Sequence, residues 1–302
     1  MTDTLHYINI GGVCFSVTSD KIIQLKPTEP NYKPFLENHT SSLSPGKKAI
    51  VNHIKLGQMP ELGKFKKLFD GENSWSLFKD EQNYYIASQP PGLKKPYWVA
   101  RIDKGFTKTT IHYNEEAGEN KNGKILFQNP IGYPLDQILL MYILAENQGA
   151  VFHCAGIELN GKGCLFLGKS GAGKSTITRQ FLGKKNIALL SDDRMVVRKI
   201  DGEFKAFGTP WPGEERVALN RSMPLSALFF IHHGSENKIK KITPKEAVKR
   251  ILPVASIPWY DSKFITPILK FCEDIITHIP TYDINFLPTP EVADDLEKHL
   301  SS

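Results

Sequence analysis

The sequence predicts an α/β domain over residues 123–302, preceded by a smaller β-rich domain over residues 1–122. Three observations lead there. Short alternating or β-branched runs, set apart by Gly, Pro and Asn, fill the first part. Strand-like and helix-like segments alternate through the second. Within the second part, a string of the form G-x-x-x-x-G-K-[ST] stands between an apolar strand and a helix.

In the first part the strand signals fall at 6–10, 13–18, 75–78, 84–87, 98–102 and 109–113, which together predict a small antiparallel domain. No group of acids, histidines or cysteines gathers there. The polar, Gly-containing stretch 115–123 reads as a connector or long hairpin loop and sets the domain boundary near residue 123. A strand is expected at 124–128. Pro134 then opens a helix to about residue 147, apolar nearly all round and so expected to cross the core of the second domain. Strands at 151–159 and 164–167 flank the turn Asn160-Gly161-Lys162-Gly163; a helix at 174–182 and a strand at 187–190 follow. A hairpin is expected at 195–200 and 204–207 around Asp201-Gly202. Beyond it come a buried strand at 227–231, a helix capped by Thr243-Pro244, a longer helix within 261–278, a strand at 282–286 and an amphipathic helix after Thr289-Pro290.

Composition narrows the class. The chain has 302 residues, 40% hydrophobic and 23% charged, the profile of a globular protein rather than a disordered or fibrous one. No apolar run approaches the roughly 18 residues of a membrane span, and the first residues lack a secretion signal, so a cytoplasmic protein without a membrane partner is expected. Cys14, Cys154, Cys164 and Cys272 are far apart and read as small buried hydrophobes, neither a disulfide framework nor a zinc site. The net charge of +6 is spread over short groups such as 47–48 and 238–241, so nucleic acid is not an expected partner; an anionic ligand or acidic partner suits it better.

The chemistry concentrates in Gly168-Lys169-Ser170-Gly171-Ala172-Gly173-Lys174-Ser175-Thr176. Glycines let consecutive backbone N–H groups point inward, and the following helix adds its positive end, which makes an anion cage. Lys174 supplies a cation for the β and γ phosphates of a nucleotide, and the Ser175 hydroxyl is the expected ligand of a phosphate-bound Mg²⁺. ATP and Mg²⁺ are therefore the expected ligands. An apolar strand ends in Asp192-Asp193-Arg194, where proteins with this loop keep a metal-associated carboxylate. Because side chains alternate along a strand, the two acids are not expected to point the same way: one can hold the metal or its water shell, the other can accept a hydroxyl proton. The plainer alternative is that they cap the turn and pair with Arg194. His153 can approach the same end of the sheet as partner of an aspartate or phosphate, or be a hydrogen-bonded core histidine. The Pro-stiffened segment 207–216 offers Glu214 or Glu215 as a second metal-linked carboxylate and Arg216 for a phosphate, or else is a Trp-anchored structural loop.

A His-x-Ala-Gly strand (153–156), an Asn-Gly-Lys-Gly turn, an apolar strand entering Gly-x-Ser-Gly-x-Gly-Lys-Ser, and Asp-Asp-Arg about eighteen residues beyond the loop lysine together resemble the catalytic domain of HPr kinase/phosphorylase. The resemblance covers about residues 150–215, extends loosely to the C-terminus and is absent from the β-rich part. It implies an α/β P-loop kinase domain of the HPr kinase type, related to the nucleotide-binding core of phosphoenolpyruvate carboxykinase. The implied activity is a serine kinase acting on a protein or peptide with ATP and Mg²⁺. It further implies Asp193 as proton acceptor, Lys174 on the phosphates, Ser175 on the metal and His153 nearby. Two departures stand out: 208–215 replaces the family's Leu-Glu-Ile-Arg-Gly-type segment, leaving Glu214 as the stand-in metal ligand, and the arginine-bearing loop of the reverse reaction is not evident around 252–263. The chain is more similar to divergent relatives beside peptide-tailoring systems, so neither dephosphorylation nor HPr itself is implied. A small-molecule kinase and a non-catalytic nucleotide switch are the rival readings, and homo-oligomerisation is left open.

Overall fold

A computed structural model describes residues 3–19, 24–26, 29–37, 48–72, 74–89, 95–114, 118–121 and 124–301. Lys47 and, within the connector, residues 115–117, 122 and 123 lie outside them. The chain divides into two compact units, Met1–Ile143 and Leu144–Ser302.

The first unit carries β1 (Asp3–Ile10), β2 (Val13–Ser19), β3 (Gln24–Leu25), β4 (Leu36–Glu37), β5 (Lys48–Leu56), β6 (Lys66–Asp70), β7 (Trp75–Lys79), β8 (Asn83–Ser88), β9 (Trp98–Asp103), β10 (Lys108–Tyr113), β11 (Glu119–Lys121) and β12 (Lys124–Phe127). Nine of these form one sheet in the order β4-β1-β2-β5-β10-β9-β8-β7-β6. The sheet is mixed rather than antiparallel, which corrects the sequence expectation: β5 lies in its interior and runs parallel to both β2 and β10. The β6–β9 meander carries the chain out and brings β10 back beside β5, the long return a parallel pair requires. Strand β5 escapes a pattern reading because Asn52, fully buried, interrupts its apolar run. Its side-chain amide donates to the carbonyls of Ser16 (3.2 Å) and Ile50 (3.3 Å).

Helix α1 is Leu135–Ala145, and the division after Ile143 falls within its last turn. Expected to cross the second core, it packs Tyr142 in the first instead, stacked on Phe106 (centroids 4.6 Å, 11°) and tilted against Tyr84 (5.7 Å). Its buried Asp136 accepts a 2.7 Å hydrogen bond from the Tyr32 hydroxyl.

The second unit contains β13 (Gly149–Leu159), β14 (Lys162–Leu167), α2 (Lys174–Arg179), β15 (Ile187–Ser191), β16 (Arg194–Ile200), β17 (Glu203–Phe207), β18 (Ser222–His233), β19 (Lys238–Lys241), α3 (Pro244–Ile251), α4 (Ser262–His278), β20 (Thr281–Phe286) and α5 (Glu291–Ser301). Its eight-stranded sheet runs β14-β13-β16-β17-β18-β20-β19, with β15 on β13. Strand β14 also pairs with β18, so the path closes on itself. Two long strands make this closure. The first part of β13 pairs with β16 and the rest with β14 and β15; the start of β18 pairs with β17 and the rest with β14 and β20. The Asp201-Gly202 turn takes positive φ at both residues (53° and 85°), the geometry that lets a two-residue turn follow strand twist. Strand β19, read from sequence only as surface lysines, pairs with β20 alone; its three lysines suit an outermost strand that must not recruit another.

Inside the second unit, Ile157, Phe166, Phe229, Ile231, Ile284 and Phe286 pack from the sheet against Ile177 and Phe181 of the α2 region and Val292 and Leu296 of α5. Each fully buried side chain of this size contributes about 1.5–3 kcal/mol, and together they fix where β14 delivers the loop that follows it. The four cysteines are buried. Among the described residues no helix is long and apolar enough to cross a membrane.

Candidate functional site

Strands β14, β18 and β20 are mutually parallel neighbours, so their C-terminal ends open on one edge. The loop 168–173 lies there, between Leu167 and α2. Gly171 (φ 78°) and Gly173 (φ 99°) hold left-handed conformations that side-chain-bearing residues avoid. At Gly173 space is missing too, since a Cβ would come within 2.9 Å of the His233 ring and 3.0 Å of Phe286. At Gly171 it would meet nothing within 4 Å, so this side of the loop is open. Lys169 and Ser170 are exposed and Ser175 and Thr176 half-buried, while Lys174 folds inward to 7% exposure. Its ammonium donates to the carbonyls of Gly168 (3.0 Å) and Lys169 (3.2 Å). Burial pulls this ammonium below its ordinary pKa, and the opposing charge of Asp193 only partly restores it.

Strands β15 and β16 run along β13 in succession, broken by a bend at Asp192 and Asp193. Across the bend, the Cys154 amide donates to the Asp193 carbonyl at 2.9 Å, and His153 pairs with Arg194. Alternation then separates the two acids. Asp193 Oδ1 lies 2.8 Å from His153 Nε2, and Oδ2 lies 3.4 Å from Arg194 Nε. A carboxylate only accepts, so Nε2 carries the proton. Burial alone would raise the pKa of Asp193. The His153 hydrogen bond and the charges of His153, Arg194 and Lys174 outweigh it and hold the carboxyl below its usual range.

Asp192 faces elsewhere. At 2% exposure its carboxylate accepts from the amides of Gly213 (2.9 Å), Glu215 (2.7 Å) and Val217 (3.3 Å). The segment 207–217 is therefore pinned from below. The Thr209 hydroxyl donates to the Arg194 carbonyl at 2.7 Å, and Trp211 is buried. At the end of α2, Arg179 contacts Glu215 at 2.6 Å and Glu214 at 3.5 Å; the Glu214 side chain remains 77% exposed.

The structure thus gathers the loop, Lys174, Asp193 and His153, and turns Asp192 and Glu214, both read as metal ligands, to the segment 213–217 and to Arg179. Among the described residues no cluster of three or more His, Cys, Asp or Glu could hold a metal by itself. Of the three residues expected on the metal, Ser175 alone keeps a side chain on the loop helix, half-buried at the start of α2. The sequence reading passes over His233, whose ring borders Gly173 and lies 5.5 Å, centroid to centroid, from that of Phe286. Its one sequence signal was the end of an apolar strand in two consecutive histidines, and only the parallel pairing of β18 with β14 brings it to the loop.

A family model described as SynChlorMet cassette protein ScmC matches residues 135–267. That span holds His153, the loop, both aspartates, Glu215 and His233. Among curated proteins none matches the chain.

Proposed function

We propose that the chain is an ATP- and Mg²⁺-dependent kinase that transfers the γ-phosphoryl group to a serine hydroxyl of a protein or peptide, working in the cytoplasm where ATP is supplied. One observation carries this reading: a buried ammonium, hydrogen-bonded to two carbonyls of its own loop, interacts with a carboxylate held ionised at the neighbouring strand bend. Such a pair suits a reaction that needs a cation for phosphate and a base for a hydroxyl. The loop suits a triphosphate in two respects: a Cβ on Gly171 would meet nothing within 4 Å, and glycines at positive φ are the residues that allow a loop to present backbone amides to an anion.

Lys174 exchanges carbonyl partners for phosphate oxygens. Asp193 takes the serine proton as the serine oxygen bonds to the γ-phosphorus and the bond to the β,γ-bridging oxygen breaks, releasing ADP. His153 orients the accepting carboxylate. Mg²⁺, held at Ser175 with the phosphates, would neutralise charge developing on the transferred group. Serine as the acceptor rests on the resemblance of residues 150–215 to HPr kinase. Incubation with γ-labelled ATP, Mg²⁺ and a panel of serine peptides tests the proposal. Labelled peptide with a phosphate-sized mass gain is expected; label appearing only on metabolites, or nowhere, refutes it.

A further inference from the structure

Asp192 and Asp193 are neighbours with opposite surroundings. Asp193 meets cationic and imidazole groups, whereas the Asp192 carboxylate is taken up by three amides from alternate residues of one segment. One of those residues, Glu215, pairs its own side chain with Arg179 at the end of the helix that follows the loop. A continuous chain of contacts therefore runs from α2 through Arg179 and Glu215 to Asp192, and by one peptide unit to Asp193. The segment also lies against both acids. A Cβ on Gly213 would fall 2.9 Å from Asp192 Oδ2 and 3.2 Å from the Asp193 Cβ, so glycine's bareness permits this approach. Beyond it the segment is stitched to β15 by the Leu219 amide on the Leu190 carbonyl (3.0 Å) and a bridge between Ser191 and Ala218.

We infer that Asp192 is a positioning residue, not a metal ligand: it clamps residues 213–217 over Asp193 and, with the Arg179–Glu215 pair, fixes the base relative to the loop that would hold the phosphates. The effect on catalysis rests on the kinase reading, and the clamp itself on the contacts of Asp192, Glu215 and Arg179. A buried carboxylate saturated by amide donors has little left for a cation, and proton transfer tolerates small misplacement poorly.

The test compares full-length Asp192→Asn and Arg179→Gln with wild type. In Asp192→Asn an amide NH₂ replaces an acceptor and confronts the segment's N–H groups. Expected are faster hydrogen exchange at the amides of Gly213, Glu215 and Val217 and a kcat lower by about ten- to a hundredfold. ATP affinity and the Mg²⁺ concentration giving half-maximal ATP binding should stay within about twofold. Arg179→Gln, altering a half-exposed side chain, should lower kcat in the same pattern, by less. A half-saturating Mg²⁺ raised about tenfold with unchanged exchange would mark a lost metal ligand and overturn the inference, as would wild-type kcat in Arg179→Gln. Failure of the kinase reading is a separate result: wild type would then transfer no phosphate, while exchange and Mg²⁺-dependent ATP binding would still judge the clamp.

Discussion

Replacing Asp193 by Asn keeps the size of the side chain and removes its charge. An oxygen remains to accept the 2.8 Å hydrogen bond from His153, so the bend should hold its shape. What disappears is the ability to take a proton, since an amide cannot serve as a base near neutral pH. A positioned base contributes about 10²–10⁴ in rate, equivalent to about 2.7–5.4 kcal/mol at 1.36 kcal/mol per tenfold. The charge change also reaches Lys174, whose ammonium Asp193 helps to keep protonated. With that neighbour gone, the cation is less neutralised, so ATP affinity should hold or rise slightly. The assay is single-turnover transfer of γ-labelled phosphate to the best acceptor, with calorimetric ATP affinity measured in parallel. The expected result is a kcat lower by two to four orders of magnitude with affinity within about threefold. A variant retaining kcat within about threefold would refute Asp193 as the base.

Lys174→Met should hold or raise the melting temperature, because it removes a buried ammonium that desolvation penalises, while weakening ATP by about ten- to a hundredfold. Thermal scans and titrations decide this, and a drop of more than about 5 °C would contradict it. Gly173→Ala should cost about 1–3 kcal/mol in chemical denaturation, since φ is 99° and the new methyl meets His233 and Phe286. The lowered pKa of Asp193 means that its ionised form is favoured by folding. This stabilisation is full above the unfolded value, about pH 4, and is lost as pH falls through the lower folded value. The stability gap between wild type and Asp193→Asn should therefore shrink as pH falls below about pH 4. A gap that opens toward acid would show the opposite linkage.

Local chemistry made much of this legible. The Asp201-Gly202 hairpin, the Thr243 cap with Glu246 in a reciprocal capping box, and the glycine-rich loop each announce themselves through a few adjacent residues. The opposed directions of Asp192 and Asp193 also follow from alternation, even through a bend. Long-range pairing was hidden. The parallel placement of β5 depends on partners far along the chain, and a buried asparagine masks the strand. The closure of the second sheet depends on β13 and β18 each serving two sets of partners, which no periodicity records. In the site, spacing alone assigned a metal to Asp192 and Glu214, and their surroundings were set by a segment over twenty residues downstream and by Arg179. His233 arrives by strand register, which a single sequence does not display.

In the proposed reaction the loop at 168–175, with Lys174, holds a triphosphate beside Asp193. Titration calorimetry of Mg²⁺-ATP into the full chain addresses it most directly, with Lys174→Met as the matched control. Saturable one-to-one association in wild type, strongly weakened in the variant, is the expected outcome. Absence of association in wild type, or equal affinity in both proteins, would contradict it.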